Sequence, residues 1–277
     1  MSAIKYQTFS LSKARDLVKY GWYMAAEEAH VQTYPDLLIP DACPEFIFVL
    51  EGAYEKLALQ APHSLQVIAA SNLVGLSTES FLIRRRGRIR LLGLKLTPLG
   101  FYQLFPDQVG HYLNQNTLLG NQTGDWLEAL DIQLRSIPKL ANQQEVLAKA
   151  LIQQAQSYHK TKAFHVTQDL ITDILASKGD IQIKTLAQQQ HKSIRQIQRY
   201  FKQFVGISPK QFAQLIRFKA FYKENYLQSS ANSFWDYGYY DQNHFIQDFK
   251  AKLGALPSES NASHFRQKHW IARESLR

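Results

Sequence analysis

The sequence predicts an α+β fold: a small N-terminal β-sandwich or barrel with following helices, then an all-α part built from two copies of one helical unit. Three observations support this prediction. Short apolar runs separated by prolines and glycines occupy much of the first hundred residues. After them the hydrophobic period changes to the helical one. The C-terminal part also contains a repeat with an offset of 48 positions.

The strands of the N-terminal part are expected between Val31 and about Leu96. The predicted segments are HVQTY, EFIFVL, SLQVIAA, SFLIR and RIRLLGLKL. The run RRRGRIR at 84–90 is interpreted as a hairpin tip around Gly87, with its arginines in water. A second phosphate-binding element is the alternative interpretation of this run.

Two helices are expected after the sheet, from DWLEALDIQL and QQEVLAKALIQQAQSY, with Pro138 ending the first. Their apolar faces either pair two protomers or cover one edge of the sheet, and the pattern leaves both open. The polar stretch SYHKTKAFH that follows is typical of a linker. The domain boundary is therefore placed near residue 160.

Composition limits the classes of function. The 277 residues, 45% of them hydrophobic, are enough for one or two domains. The single cysteine, Cys43, excludes an intramolecular disulfide, and no segment resembles a membrane span or signal peptide, so a cytoplasmic protein is expected. No catalytic motif is found, and His30, His63 and His111 form no His-x-His pair. We therefore expect no enzyme activity, no metal site and no cofactor.

The formal charge of +9 lies entirely in the C-terminal part. Residues 1–158 hold 14 Lys and Arg against 14 Asp and Glu, whereas residues 159–277 hold 18 against 9. Lysine and arginine release condensed counterions when they neutralise phosphates, so this asymmetry indicates a polyanionic partner. A solubilising charge excess is the alternative.

The repeat aligns SIRQIQRYFKQFVGISP, which starts at Ser193, with DQNHFIQDFKAKLGALP, which starts at Asp241. In each copy a glycine and a proline end a helix. Ser193 and Gln196 predict a capping box, Asp241 predicts the second cap, and Tyr240 and Phe245 occupy the positions of a hydrophobic staple. The side chains expected to face the core of the first unit are Ile194, Ile197, Phe201 and Phe204.

Each helix of the repeat also presents an outward stripe. In the first copy the stripe is Arg195, Gln198, Arg199 and Lys202, and in the second it is Gln242, Asn243, Ile246, Gln247 and Lys250. Arginine pairs with guanine, and glutamine or asparagine with adenine, in the major groove of DNA. A helix-turn-helix unit presents such side chains from its second helix. A solvated polar face on a helical bundle is the alternative, but the duplication in a basic region favours DNA binding.

Residues of about 166–264 resemble the DNA-binding domain of the AraC/XylS family of bacterial transcription regulators. SIRQIQRYFKQFVGISPKQFAQLIRF matches its first helix-turn-helix unit and GYYDQNHFIQDFKAKLGALPSE its second. The resemblance implies that SPKQFAQLIRFKAFYKENYL forms a long helix joining the units. It implies a DNA-binding domain of residues 161–277, with units at about 181–209 and 230–257. The base-contacting positions implied by it are Arg195, Gln198, Arg199, Gln242, Asn243 and Gln247.

Three positions depart from the family pattern. Phe234 stands where a small residue is usual, in a segment that is a few residues short. Gln247 stands where arginine is frequent, and His191 occupies a turn position that is often glycine. We therefore expect the first unit to carry most of the sequence preference.

The N-terminal part resembles the sheet domain that precedes this module in one branch of the family, through LIPDACPEFIFVLEG and GLKLTPLGFYQLF. The resemblance implies that residues 1–160 form an effector-sensing or dimerisation domain, with no effector-binding residue identified. Double-stranded DNA, a small-molecule effector, a second copy of the chain and, for an activator, RNA polymerase are the implied partners. The alternatives are a non-specific nucleoid-type DNA binder and an enzyme on the sheet domain, both disfavoured by the amide-rich helices and the lack of catalytic residues.

Overall fold

The structure, a computed structural model, describes residues 4–27, 35–59, 65–120, 123–227 and 232–257. Its N-terminal half is one eight-stranded antiparallel sheet in the order β1-β2-β7-β4-β6-β8, with β3 paired to β7 and β5 to β4. The strands are β1 (Lys5–Phe9), β2 (Val18–Ala26), β3 (Asp36–Leu38), β4 (Glu45–Ala58), β5 (Gln66–Ile68), β6 (Asn72–Val74), β7 (Phe81–Leu96) and β8 (Asn116–Leu118).

Eight α-helices are described. They are α1 (Pro98–Leu104), α2 (Asp125–Ser136), α3 (Leu140–Ala155), α4 (Lys162–Ala176), α5 (Ile183–Gln189), α6 (Ile194–Phe204), α7 (Pro209–Tyr222) and α8 (Gln242–Leu253). The α+β fold with a C-terminal helical part is therefore confirmed, and residue 160 lies between α3 and α4. Of the helices in the described ranges, none combines the length and hydrophobicity needed to cross a bilayer.

Both faces of the sheet are buried because side chains alternate along its central strands. In β4, Phe46 and Phe48 belong to a cluster that the helices cover. Ile47 and Val49, which point to the opposite face, belong to a second cluster whose buried members all lie on strands. The sheet therefore curves around this second cluster, and bulges in the β4–β7 ladder, near Gly52 with its φ of +79°, provide the bend.

The arginine run does not form a hairpin tip, which corrects the sequence-based interpretation. Residues 84–90 lie within β7, which pairs with β4 on both sides of Gly87. Arg84 and Arg86 pair with Glu55, while Arg88 and Arg90 pair with Glu51. Because these four arginines already form ion pairs with carboxylates of β4, the alternative interpretation as a phosphate-binding element is disfavoured.

Five strands were not predicted from the sequence. β1 and β2 precede Val31, where strands were expected to begin, β8 follows Leu96, and the short strands β3 and β6 lie between the predicted segments. EFIFVL lies in β4 and SLQVIAA contains β5, whereas SFLIR and RIRLLGLKL are parts of the single strand β7. HVQTY, residues 30–34, lies outside the described residues.

The apolar faces of α2 and α3 are buried within the chain. Leu127, Leu130 and Leu134 of α2, and Leu147, Ala148 and Leu151 of α3, belong to the large helix-covered cluster. The structure therefore shows the second of the two interpretations, in which these helices pack on their own domain. On α2 the exposed apolar side chain is Ile132.

The large cluster continues from the sheet into the C-terminal helices. At the junction, the ring of Tyr102 in α1 contacts Phe204 in α6, with the ring centroids 4.7 Å apart, and Tyr158 between α3 and α4. Phe164 at the start of α4 contacts both Tyr158 and Phe204. The first helical unit therefore shares its core with the sheet domain.

Candidate functional site

The first helical unit consists of α5, a short turn and α6. The turn takes a left-handed conformation at His191, whose φ is +49°, at the position where the family often has glycine. Ser193 then caps α6: its hydroxyl accepts a hydrogen bond from the Gln196 amide at 3.2 Å, and the Gln196 side chain accepts one from the Ser193 amide at 3.0 Å. The predicted capping box is confirmed.

The buried face of α6 is formed by Ile197, Phe201 and Phe204. Ile194 was predicted to join them, but it is 43% exposed. Ile194 has the same helical phase as Phe201 but lies in the first turn, at the end of the unit, where neighbouring elements cover it incompletely. After α6, Gly206 has a φ of +87°, as expected for a helix end.

The predicted stripe of α6 is exposed: Arg195, Gln198, Arg199 and Lys202 all face solvent. The Arg199 guanidinium lies 5.4 Å from the ring centre of Tyr200. The Lys202 ammonium donates a hydrogen bond of 2.9 Å to the Gly206 carbonyl, so it also stabilises the C-terminal end of the helix.

The second unit has a reduced first helix. A single 3-10 turn, Phe234–Tyr237, takes that place and ends at Gly238, whose φ is +74°. Phe234 stacks on Phe245 of α8 at 5.1 Å, with the rings 7° from parallel. Phe234, which stands where the family usually has a small residue, therefore packs in the core of the second unit against α8.

Asp241 caps α8, because its carboxylate accepts a hydrogen bond of 2.7 Å from the His244 amide. The predicted staple between Tyr240 and Phe245 is wrong. Tyr239 contacts Phe245 instead, with ring centroids 5.2 Å apart, and Tyr240 is 85% exposed. A hydrogen bond of 2.8 Å from the Tyr239 hydroxyl to Asp248 holds the buried ring against α8.

The predicted stripe of α8 is exposed, like that of α6, except at Ile246. Gln242, Asn243, Gln247 and Lys250 face solvent, and Phe245, Phe249 and Leu253 form the buried face. Ile246, predicted in the same stripe, is half-buried and packs against the second unit's core. Two capped helices therefore present arginine, amide and lysine side chains, and their exposed stripes correspond at three positions of the repeat.

A cavity of about 510 Å³ lies between the sheet domain and the helical part. One wall comes from the N-terminal part, including Lys19, Cys43 and Leu99. The facing wall comes from α4 and α7. Its apolar lining residues are Ile171, Leu175, Phe212 and Ile216, and the half-buried Lys219 of α7 also lines the cavity.

Burial and neighbouring charges determine the electrostatics of this cavity. Lys95 forms ion pairs with Asp41 at 3.3 Å and Glu45 at 3.0 Å, and although burial opposes it, the lysine charge lowers the pKa of Asp41. Burial raises the pKa of the Cys43 thiol, which lies 3.9 Å from the Lys19 ammonium. Burial lowers the pKa of Lys219 to about 8. Lys19, Lys95 and Lys219 together face the carboxylates of Asp41 and Glu45, so this end of the cavity carries one more cation than anion.

Sequence reasoning did not find this cavity. Lys19 and Lys219 are 200 positions apart, and neither belongs to a local motif. The sequence of α7 indicated part of this arrangement, because its apolar residues lie on more than one face of the helix and must pack against more than one neighbour. Among the described residues, no group of three or more His, Cys, Asp or Glu side chains could hold a metal ion.

Comparisons with known proteins agree with this geometry. A helix-turn-helix domain model matches residues 186–263, and a model described as a domain of unknown function, DUF6597, matches residues 12–117. No curated protein matches the chain at a significant level.

Among solved structures, ToxT from Vibrio cholerae is 10% identical, with a TM-score of 0.42 over 92% of this chain and 96% of ToxT. A structure of the same protein with a bound unsaturated fatty acid is 11% identical, with a TM-score of 0.41 over 94% of this chain and 95% of that chain. The AraC-like transcriptional activator CuxR is 13% identical, with a TM-score of 0.34 over 80% of this chain and 82% of that chain.

The matched helix-turn-helix model is of the AraC type and covers α6, α7 and α8. The structure adds the features that distinguish this type from a single helix-turn-helix, namely two capped reading helices separated by the long α7. The chain therefore combines an N-terminal sheet domain with a C-terminal helix-turn-helix domain of the AraC type, matched over residues 186–263.

Proposed function

We propose that the chain binds DNA in a sequence-specific way, with α6 and α8 each reading a major-groove segment, and that a small-molecule effector controls this binding. The observation that carries the proposal is an exposed polar stripe on both capped helices, in which three pairs are related by the 48-residue repeat: Arg195 and Asn243, Arg199 and Gln247, and Lys202 and Lys250. In this proposal residues 161–277 bind DNA and residues 1–160 contribute to effector binding.

Each residue type in the stripes has a defined role in the proposal. Arg195 and Arg199 pair with guanine, while the amides Gln198, Gln242, Asn243 and Gln247 pair with adenine. Lys202 and Lys250 contact phosphates, which position the protein without selecting bases. The non-specific alternative is disfavoured because it needs lysine and arginine alone, whereas four of the eight side chains are amides.

The chemistry of the cavity supports an amphipathic anion as the effector. Its apolar walls suit a hydrocarbon chain, and Lys19 and Lys219 at its cationic end suit a carboxylate. The unsaturated fatty acid bound in ToxT is a ligand of this class. Because α7 lines the cavity and follows the first reading helix, an effector that changes the position of α7 changes the DNA-binding surface.

Further partners remain predictions. RNA polymerase is expected if the chain activates transcription, and pairing of two chains would use surfaces other than the buried faces of α2 and α3. A cytoplasmic location is part of the proposal, because the chain is proposed to act on DNA.

The proposal is tested by selecting binding sites from random double-stranded DNA with the purified full-length chain, followed by footprinting. We expect enrichment of one motif with two protected major-groove segments about 34 Å apart along the duplex. A pool that stays random, while total DNA binding is strong, would support the non-specific alternative and contradict the proposal.

A further inference from the structure

The two helix-turn-helix units have separate hydrophobic cores. The buried residues of α5 and α6 belong to the large cluster, with the first half of α7, through Phe212 and Ile216. The second unit has its own cluster, which takes Phe218 and Phe221 from the last part of α7 and Leu37 from β3. Apolar packing is non-directional, so these clusters hold each unit together but define the angle between the units weakly.

Arg217, between these two halves of α7, makes directional contacts to both units. One guanidinium nitrogen, Nη2, donates to the Gly179 carbonyl at 3.0 Å, in the turn between α4 and α5. The other, Nη1, donates to the Gly238 carbonyl at 2.8 Å, in the turn that precedes α8. The side chain is only 13% exposed, and its guanidinium lies 5.4 Å from the centre of the Tyr239 ring.

The turn between α4 and α5 is pressed closely against α7 at this point. Gly179 has a φ of +79°, and a Cβ atom placed on it would lie 2.2 Å from the Ala213 carbonyl oxygen. Gly238, with a φ of +74°, faces the first unit through a side chain, since its Cβ would lie 2.1 Å from a carboxylate oxygen of Asp180. Glycine at position 179 therefore permits the close backbone approach of this turn to α7, and glycine at position 238 permits the left-handed conformation of the second turn.

Glu224 forms a second bridge between the same two regions. Its carboxylate pairs with the Lys178 ammonium at 2.7 Å and accepts a hydrogen bond of 2.6 Å from the Tyr237 hydroxyl. Asn232 donates to it at 3.2 Å. The hydrogen bond from Lys178 is the main reason why the pKa of Glu224 is lowered. The bridge of Glu224, like that of Arg217, connects the turn before α5 to the segment before α8.

We propose that Arg217, supported by Glu224, sets the rotation and separation of the two reading helices and so determines which spacing between half-sites the protein accepts. This inference rests on the proposed DNA-binding function. Arginine suits the role because its planar fork holds two acceptors at a fixed separation, which lysine cannot do. One inserted base pair turns the second half-site by roughly 35° around the duplex, so a rigid connection penalises it and a loose one tolerates it.

The variant Arg217→Met tests the proposal because it keeps a long apolar stem and removes both hydrogen bonds. Affinity is measured for the selected site, for the same site with one base pair inserted, and for each half-site alone. For the wild type we expect the insertion to weaken binding by about tenfold or more. For Arg217→Met we expect weaker binding to the selected site, an insertion penalty of about threefold or less, and unchanged binding to single half-sites.

The control is Lys184→Met, which removes an exposed cation from α5. Loss of this positive charge is expected to change binding to the selected site and to its one-base-pair insertion by the same factor, and so to leave the insertion penalty intact. Arg217→Met with the full wild-type penalty would overturn this inference alone, whereas a wild-type chain without any sequence preference would overturn the proposed function.

The distance between α6 and α8 can also be measured without DNA, which tests the proposal even if the chain shows no sequence preference. Spin labels at Gln198→Cys and Gln247→Cys, in a Cys43→Ser background, report the distance between α6 and α8. We expect Arg217→Met to broaden the distance distribution, and Glu224→Gln to broaden it less. If Arg217→Met fails to fold, Glu224→Gln alone must reduce the insertion penalty and broaden the distribution. An unchanged distribution in a folded variant contradicts the proposal.

Discussion

The ring of Tyr102 packs edge-on against Phe204, with centroids 4.7 Å apart and the ring planes at 71°. Tyr102 belongs to α1, which follows the sheet, and Phe204 is the last residue of the first reading helix. Their contact lies inside the cluster that runs through both parts of the chain. The position of the first reading helix therefore depends on the sheet domain, and a change in that domain has a direct physical path to α6.

We predict that Tyr102→Ala lowers the free energy of unfolding by about 3–5 kcal/mol, as expected for loss of a buried aromatic ring. Tyr102→Phe is the matched control, because it keeps the ring and removes only the hydroxyl that donates to Asp107 at 2.8 Å. That change should cost about 1 kcal/mol or less. Urea unfolding measures both values. Equal losses would show that the hydroxyl, and not the ring contact with Phe204, carries the stabilisation.

For DNA binding, we predict different effects of two substitutions on α6. Arg199→Ala should weaken binding by about 1–3 kcal/mol and relax the preference at one base pair, because arginine contacts a base edge. Lys202→Ala should weaken binding to all sites evenly, with an additional loss of stability because its ammonium caps the helix at the Gly206 carbonyl. Gel shifts on a set of single-base variants of the selected site distinguish the two. A uniform loss for both variants would contradict base reading by Arg199.

The local features of the reading helices were predictable from sequence because they depend on neighbouring residues. The caps at Ser193 and Asp241 and the left-handed glycines after α6 and α8 are examples. The staple was assigned one residue too late, to Tyr240. The extended backbone of Asp241, with φ −152° and ψ 172°, and the hydrogen bond from Tyr239 to Asp248 decide which tyrosine is buried, and this depends on tertiary contacts.

Features that depend on distant residues were missed for the same reason. Gly87 and its neighbouring arginines have the composition of a turn, but Glu55 and Glu51 on β4 pair with those arginines and β7 continues. In β2 several side chains are only half-buried, so its apolar alternation is weak. The cavity requires Lys19 and Lys219, which only the folded chain brings together.

We predict that Gly179→Ala destabilises the protein by more than about 2 kcal/mol, because alanine is strained at a φ of +79° and its Cβ would clash with the Ala213 carbonyl. Gly110→Ala is the control: no atom lies within 4 Å of its Cβ position, and its φ is not positive. The control should change stability by less than about 0.5 kcal/mol. Thermal unfolding of the three proteins gives the comparison, and similar melting temperatures would rule out the close approach of this turn to α7.

Deletion of the N-terminal part tests the division of functions. We predict that a fragment of residues 161–277 keeps the sequence preference of the full chain, because all eight proposed contact residues lie within it. The fragment should be less stable, since Phe164 and Phe204 lose the contacts of Tyr102 and Tyr158. It should also lose any response to the effector. Site selection with the fragment measures the preference, and a fragment that is folded by circular dichroism but unselective would contradict the assignment.

The last prediction concerns Lys219 and uses oleate as the probe, with its methyl ester as the uncharged control. Burial lowers the pKa of Lys219 to about 8, so the ammonium is present at pH 7 and is lost as the pH rises through about 8. A bound carboxylate favours the charged lysine and moves this loss to higher pH. We therefore expect oleate to bind more tightly at pH 7 than at pH 10, and more tightly than the ester at pH 7.

Lys219→Met should weaken oleate binding at pH 7 by about tenfold, equivalent to about 1.4 kcal/mol, and flatten its pH dependence, while ester binding stays the same.

Without ligand, the same substitution should stabilise the protein at pH 7. The pKa of Lys219 is lower in the folded chain than its unfolded value of about 10.4. The charge therefore costs stability in full below about pH 8, and this cost is lost as the pH rises from about 8 to about 10.4. Lys219→Met should therefore raise the melting temperature at pH 7 and match the wild type above about pH 10. Calorimetric titration and thermal unfolding measure the two effects. Equal affinities for acid and ester in both proteins would exclude Lys219 as the carboxylate partner, even if the melting temperature rises as expected.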